Sequence, residues 1–173
     1  MRAHVVYESM FGNTEEIARA VADGMRDRLD VEVRPVTSAR PEQRVDLIVA
    51  GGPTHAFSLS RSSTRADAVT QGASRGTEDV GLREWLTDLP AATDGQSFAA
   101  FDTKVEKMRH LPGSAASKAA RMARHLGYAP AGHDSFYVAG TAGPLVDGEL
   151  DRARQWGAQL AARVADQTAA QTN

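Results

Sequence analysis

A short stretch near the N-terminus has residue types and a spacing that suit the binding of a phosphate group. It consists of Ser9, Met10, Phe11, Gly12, Asn13 and Thr14. An apolar run at 3–7 predicts a strand before it, and apolar side chains recurring every four residues predict a helix at 15–29 after it. Hydroxyl groups, a glycine that permits close approach, and the free N–H groups of a first helical turn form a phosphate cradle that needs no Lys or Arg. Asn13 or Thr14 is the expected cap of that helix, and a capped turn without a ligand has the same residue types.

Two further turns follow predicted strands and offer groups to the same site. The turn at 51–58 follows a continuously apolar run and contains Pro53, Thr54, His55 and Phe57. The turn at 102–113 follows the apolar run 97–101 and contains Asp102, Thr103, Lys104 and His110. In an open parallel sheet, ligands bind outside the carboxyl ends of the strands. If the strand order is 2-1-3-4-5, the three turns meet at one crevice.

Short apolar runs alternate with helix-period segments along the whole chain. Strands are predicted at 3–7, 31–36, 46–51, 97–101 and 135–139, with 31–36 at an edge. Helices are predicted at 15–29, 114–126 and 148–165, with two shorter ones at 64–71 and 80–89. This alternation predicts an α/β domain with a parallel sheet and helices on both faces. We expect one domain over 1–165 and a polar, Ala-rich tail at 166–173 that frays.

Composition and missing motifs exclude several other classes of function. The 173 residues include no Cys, which excludes disulfides, thiolate metal sites and a catalytic thiol. A formal net charge of −2 does not favour nucleic-acid binding, and no apolar run approaches the roughly 20 residues of a membrane span. Because the chain enters a strand at once, without a signal-peptide core, we expect a cytoplasmic protein, monomeric or dimeric, with no membrane or nucleic-acid partner.

Residue patterns of the common catalytic and metal sites are also missing. No pair among the five histidines has helical metal-ligand spacing with a carboxylate partner, and no Gly-x-Ser-x-Gly sequence is present. The sequence therefore assigns no metal ligand and no catalytic residue. His55 and His110, which lie on the predicted site turns, are candidates for stacking or for proton donation to a ligand.

Residues 7–18 resemble the FMN-phosphate loop of the flavodoxin family, with the sequence Tyr-Glu-Ser-Met-Phe-Gly-Asn-Thr-Glu-Glu-Ile-Ala. Gly-Gly-Pro-Thr-His-Ala-Phe at 51–57 resembles the second loop of that family, and Phe-Asp-Thr at 101–103 occupies its fourth strand end. The order of the predicted elements fits the family from residue 3 to about 164. The resemblance implies a flavodoxin-like fold with a five-stranded parallel sheet in the order 2-1-3-4-5. It also implies non-covalent FMN, with the phosphate on the first loop and the ring between the turns at 53–58 and 103–111.

The function implied by the resemblance is that of an FMN-binding redox protein, and in its simplest form a small electron carrier. Two alternatives stay open. One is a flavin-dependent reductase or oxidase of the quinone or protoporphyrinogen type. The other is a binding module of the same fold that has lost FMN or takes another anionic, flavin-like ligand. The sequence does not indicate the redox partner.

Three features depart from the family pattern. The usual Trp and Tyr on the two sides of the ring are missing, so His55 or Phe57 is the only stacking candidate in the second turn. Residues 104–124 carry six Lys or Arg against one Glu. That cluster is either a solvated helix face or a rim that attracts an anionic substrate or an acidic partner. Its positive charge is expected to raise the potential of the second reduction step of the flavin. The stretch 58–76, with three arginines, is longer than usual and is interpreted as a lid, a subunit contact or, most simply, a surface loop.

Overall fold

A computed structural model describes residues 1–40, 45–93 and 95–171. The strands in these ranges are β1 (Arg2–Tyr7), β2 (Asp30–Pro35), β3 (Leu47–His55), β4 (Ser58–Leu59), β5 (Ser97–Val105) and β6 (Ala129–Val138). The α-helices are α1 (Asn13–Met25), α2 (Ser62–Thr70), α3 (Leu82–Thr87), α4 (Ala115–His125) and α5 (Glu149–Gln171). A single 3-10 turn, Glu106–Met108, follows β5.

The strands form one sheet in the order β2-β1-β3-β5-β6. These five strands are parallel, and the two-residue strand β4 turns back antiparallel on β3. Leaving β4 aside, the sheet has the predicted strands in the predicted order 2-1-3-4-5, so the fold-class prediction is confirmed. The strand predicted at an edge, β2, lies at one, and the first six residues of β3 are buried in the middle of the sheet.

Helices cover both faces of the sheet and leave its carboxyl edge open. On one face, α1 and α5 enclose Phe101, Phe136 and Trp156, whose rings meet edge to face with centroids 6.0 to 6.3 Å apart. The two helices touch closely at Gly24, where a Cβ atom would lie 1.9 Å from a carbonyl oxygen of α5. Helices α3 and α4 cover the other face.

Several elements extend beyond the apolar patterns that predicted them. β3 continues to His55, β5 continues to Val105, and β6 begins at Ala129 instead of 135. Backbone hydrogen bonds extend a parallel ladder past the buried part of a strand, and these polar ends carry no apolar pattern. Helix α5 continues to Gln171, whereas residues 172 and 173 lie outside the described residues, so fraying of the tail stays a prediction. None of the helices in the described ranges is long and apolar enough to cross a membrane.

Candidate functional site

A cleft lies at the carboxyl edge of the sheet, among the ends of β1, β3, β5 and β6. Nine of the residues predicted from the sequence to bind a ligand line it: Ser9, Met10, Phe11, Asn13, Thr14, Pro53, Thr54, His55 and Thr103. The three turns therefore meet at one crevice, because parallel strands in this order end side by side.

The loop from β1 to α1 exposes backbone donors at the start of the helix. Gly12 has a φ of 102°, a conformation that favours glycine, and its N–H donates to Ser9 Oγ at 3.1 Å. Among the described residues, the N–H groups of Phe11, Asn13 and Thr14 have no acceptor. Free N–H groups at the positive end of a helix bind anions, so the loop can hold a phosphate without a cationic side chain.

The predicted cap of α1, by Asn13 or Thr14, is wrong. Gly12 occupies the N-cap position, and no side chain caps the helix. Asn13 Nδ2 donates to Ala142 O at 3.2 Å, and Thr14 Oγ1 lies 2.8 Å from Thr103 Oγ1. Asn13 thus binds the turn after β6 and Thr14 binds β5, and this leaves the N–H groups of the first helical turn free for a ligand.

The second turn is a hairpin in which Ala56 and Phe57 join β3 to β4. Both residues have positive φ values, 46° and 64°, in a region where Gly or Asn is usual. Phe57 is 46% exposed and does not line the cleft. Its carbonyl oxygen faces Gly113, where a Cβ atom would lie only 2.6 Å away. His55, which does line the cleft, is therefore the stacking candidate that this turn supplies.

His55 presents a hydrogen-bond acceptor to the cleft. Its Nδ1 lies 3.1 Å from Thr64 Oγ1, and that hydroxyl also donates to Arg61 O and accepts from Arg61 N. A hydroxyl has one hydrogen and two lone pairs, so all three contacts are satisfied when His55 Nδ1 carries the hydrogen. Burial, aided by the charge of Arg65, lowers the pKa of His55, which keeps the ring neutral at pH 7. Nε2 then accepts hydrogen bonds, and this does not fit the hypothesis that His55 donates a proton.

Asp102 positions a cleft residue and does not itself line the cleft. It is fully buried, and its Oδ2 accepts from Thr54 Oγ1 at 2.9 Å and from Ala116 N at 3.0 Å. The Thr54 hydroxyl in turn accepts from Ala115 N at 2.8 Å. Asp102 thus joins the start of α4 to the end of β3 and holds Thr54 in place.

The other two predicted residues of the third turn, Lys104 and His110, also lie outside the cleft lining. Lys104 is 9% exposed in β5, and His110 is exposed after the 3-10 turn. Lys107 and Arg109 are the exposed cations on this turn, and the Arg109 guanidinium lies 4.3 Å from the centroid of the Tyr137 ring. The basic segment therefore places its charge beside the cleft and not within it.

A fourth turn, at 139–144, belongs to the site and was missed by the sequence analysis. Val105, Val138 and Thr141 complete the cleft lining. Asn13 is so close to this turn that a Cβ atom at Gly143 would lie 2.5 Å from its Oδ1. The position of Val138 at the carboxyl end of the last strand was the available signal, because all five strands end at the same edge.

The arginine-containing stretch is anchored in the protein interior, so its interpretation as a simple surface loop is wrong. Arg65 of α2 is completely buried. Its guanidinium donates to Glu78 O at 2.8 Å and to Ser60 Oγ at 2.9 Å, and it pairs with Glu84 Oε2 at 3.1 Å. A buried charge needs such partners, and here they hold residues 60–81 against the end of β1.

Glu8, directly before the phosphate loop, is the buried carboxyl beside this network. Its Oε2 accepts from Leu82 N at 2.7 Å, whereas Oε1 has no partner among the described residues. Burial raises the pKa of Glu8, and the nearby Ser60 and Arg65 offset only part of that effect. The chain thus places a buried carboxyl group with a raised pKa behind the loop.

Comparison with known proteins identifies similar structures only. No protein-family model matches the chain, and no curated protein matches it. A flavodoxin from the domain Archaea is 19% identical, with 95% of this chain and 99% of that chain covered and a TM-score of 0.64. A flavodoxin from Streptococcus pneumoniae TIGR4 is 22% identical, with 94% and 99% covered and a TM-score of 0.64. The two-electron reduced flavodoxin of Megasphaera elsdenii is 16% identical, with 92% and 98% covered and a TM-score of 0.60. Together with the strand order and the two helical layers, these likenesses show that the chain has the flavodoxin-like fold.

Proposed function

We propose that this protein binds FMN non-covalently and acts as a small electron carrier. The observation that carries the proposal is the cleft that begins at the free N–H groups of Phe11, Asn13 and Thr14. The twelve residues that line the cleft include no charged side chain, so no carboxylate in the lining opposes a phosphate dianion. The flavodoxins of similar structure, one of them described in a reduced state, support the same assignment.

The rest of the cleft suits a flat ring with polar edges. Pro53, Val105 and Val138 supply apolar surface that excludes water, and Thr54 and His55 supply polar groups at its margin. The His55 Nε2 lone pair can accept a hydrogen bond from an N–H on the edge of the ring. When bound, FMN supplies the redox chemistry, while the chain binds and orients it and adjusts its potential through local charge and hydrogen bonds.

A flavin-dependent reductase or oxidase is the second candidate, and one observation favours it. A groove adjoins the cleft and shares Phe11, His55 and Thr141 with it. Helix α2, which contributes Asp67, and the following residue Gln71 also line the groove. A small substrate held there would lie next to the proposed ring position, whereas an electron carrier has no need of such a groove.

Flavin binding by the purified protein tests the proposal directly. The apoprotein is titrated with FMN and, in parallel, with riboflavin, and binding is followed by quenching of flavin fluorescence. We expect tight binding of FMN and at least tenfold weaker binding of riboflavin, because only FMN carries the phosphate. A protein that binds neither flavin, or both equally, would refute the assignment of the loop.

Turnover separates the two candidates. The FMN-loaded protein is mixed with NADH or NADPH and a soluble quinone, and consumption of the reduced nicotinamide is followed by absorbance. A carrier shows no turnover until a reductase is added, whereas a reductase consumes the nicotinamide unaided.

A further inference from the structure

The segment 60–81 returns over the phosphate loop and contacts it directly. Arg75 N donates to Met10 O at 3.2 Å. Gly76 is so close that a Cβ atom there would lie 2.9 Å from Ser9 O. The Arg75 side chain lies over Gly12, with its Nε 3.5 Å from the position that a Cβ atom of Gly12 would take. A cation from a distant part of the chain is therefore held against the loop.

Arg75 belongs to a charge cluster at the first turn of α1. Its Nη1 pairs with Glu15 Oε2 at 2.6 Å, and Arg19 Nη2 pairs with Glu15 Oε1 at 2.8 Å. Burial alone would raise the pKa of Glu15, but the hydrogen bonds and charges of Arg19 and Arg75 outweigh that effect and hold the pKa below its usual value. Glu15 is therefore ionised at neutral pH, and the cluster of the three side chains has a net charge of +1.

An ionised Glu15 stands in the turn where the phosphate of FMN is proposed to bind. Both anions are attracted to the same positive helix end, and they repel each other. None of the twelve residues that line the cleft in the described part of the chain is a cation that could offset this repulsion. Arg19 balances the carboxylate, and Arg75 supplies the excess positive charge.

We propose that Arg75 is a positioning residue that makes the charge around the phosphate loop more positive, against the two acidic residues Glu15 and Glu16 of the first helical turn, and so sets the preference of the cleft for a phosphate-bearing flavin. The inference rests on the proposed function, because it concerns the affinity of the same loop.

A charge series on two residues tests the inference. The variants are Arg75→Gln, Glu15→Gln and the double variant, which change the cluster from +1 to 0, +2 and +1. We expect FMN to bind Arg75→Gln about five- to tenfold more weakly than the wild type at low salt, as one charge near a dianion implies. Glu15→Gln should bind FMN more tightly, and the double variant should match the wild type. Riboflavin, which has no phosphate, should bind all four proteins equally.

Arg26→Gln is the matched control, because Arg26 forms a similar exposed ion pair with Asp23 at the other end of α1. A purely structural role of Arg75 would weaken FMN and riboflavin together and would not be rescued by Glu15→Gln. Either result overturns the inference, as does an FMN affinity that is unchanged in Arg75→Gln.

Inorganic phosphate keeps the inference testable if no flavin binds. The backbone amide signals of Gly12, Asn13 and Thr14 are followed by NMR while phosphate is added to the wild type and the same variants. The same order of affinities supports a role of Arg75 at the loop, even if the flavin titration has refuted the proposed function. Equal responses in wild type and Arg75→Gln overturn the inference.

Discussion

Replacement of Arg65 by Met tests whether the buried guanidinium holds segment 60–81 in place. Met keeps an unbranched side chain of similar length and removes the charge and every donor. The change leaves Ser60 Oγ, which is 1% exposed, without its partner. It also removes the positive charge nearest to Glu8, which is 2% exposed.

The expected loss of stability depends on which partners of Arg65 can form hydrogen bonds with water after the replacement. Removing one member of a buried ion pair typically costs about 3–5 kcal/mol. The Glu84 side chain is 38% exposed, and the backbone acceptors of Arg65 belong to the exposed residues Glu78 and Asp79, so these groups recover hydrogen bonds from water. The variant also avoids burying a guanidinium. We therefore expect the free energy of unfolding to fall by about 3 kcal/mol, at the lower end of that range.

Urea unfolding, followed by tryptophan fluorescence and circular dichroism, measures this loss. Arg61→Met is the control, because Arg61 is an exposed arginine at the start of the same helix, and we expect it to change the free energy of unfolding by less than about 0.5 kcal/mol. Hydrogen exchange should show faster opening of 62–81 in Arg65→Met alone. Equal unfolding free energies for the two variants would refute the anchoring role.

Three further predictions concern the residues around the cleft. Because burial raises the pKa of Glu8, its contribution to stability is fully present below its unfolded pKa and is lost as pH rises through the folded pKa. Glu8→Gln should flatten this decline in urea titrations carried out from acidic to neutral pH, and parallel profiles would contradict the prediction. Thr103→Val leaves the buried Thr14 hydroxyl without its partner, so the free energy of unfolding should fall by about 1–2 kcal/mol in urea titrations. The affinity for FMN should also drop in fluorescence titrations, and an unchanged affinity would show that the hydroxyl pair does not support the loop. The potential of the second one-electron reduction of bound FMN should be less negative than in acidic flavodoxins, and Lys107→Glu should make it more negative, because the change replaces an exposed cation on the turn after β5 by an anion. A potentiometric titration that shows no shift would refute the electrostatic reasoning.

Much of the cleft was predictable because its residues follow strand ends. Ser9 lies two residues after β1, and Pro53 and Thr103 lie near the carboxyl ends of β3 and β5; the strand order brings such positions to one edge. Phe57 lies outside the cleft lining, because a two-residue hairpin turn without Gly or Asn gave no sign that β3 would turn back. The prediction failed for the cap of α1 because the side chains of Asn13 and Thr14 bind residues far along the chain, Ala142 and Thr103.

The sequence by itself determined the alternation of strands and helices, the loop at 9–14 between β1 and α1, and the parallel sheet, because each depends on residue types a few positions apart. Only the tertiary structure decided where the side chains of Arg65 and Arg75 lie and which groups they pair with. Arg65 is buried beside the end of β1, and Arg75 pairs with Glu15 across 60 residues of sequence. Neither contact follows from local periodicity, since an arginine in a polar segment has the same pattern whether it faces water or a carboxylate. The charge around the loop is therefore a property of the folded chain.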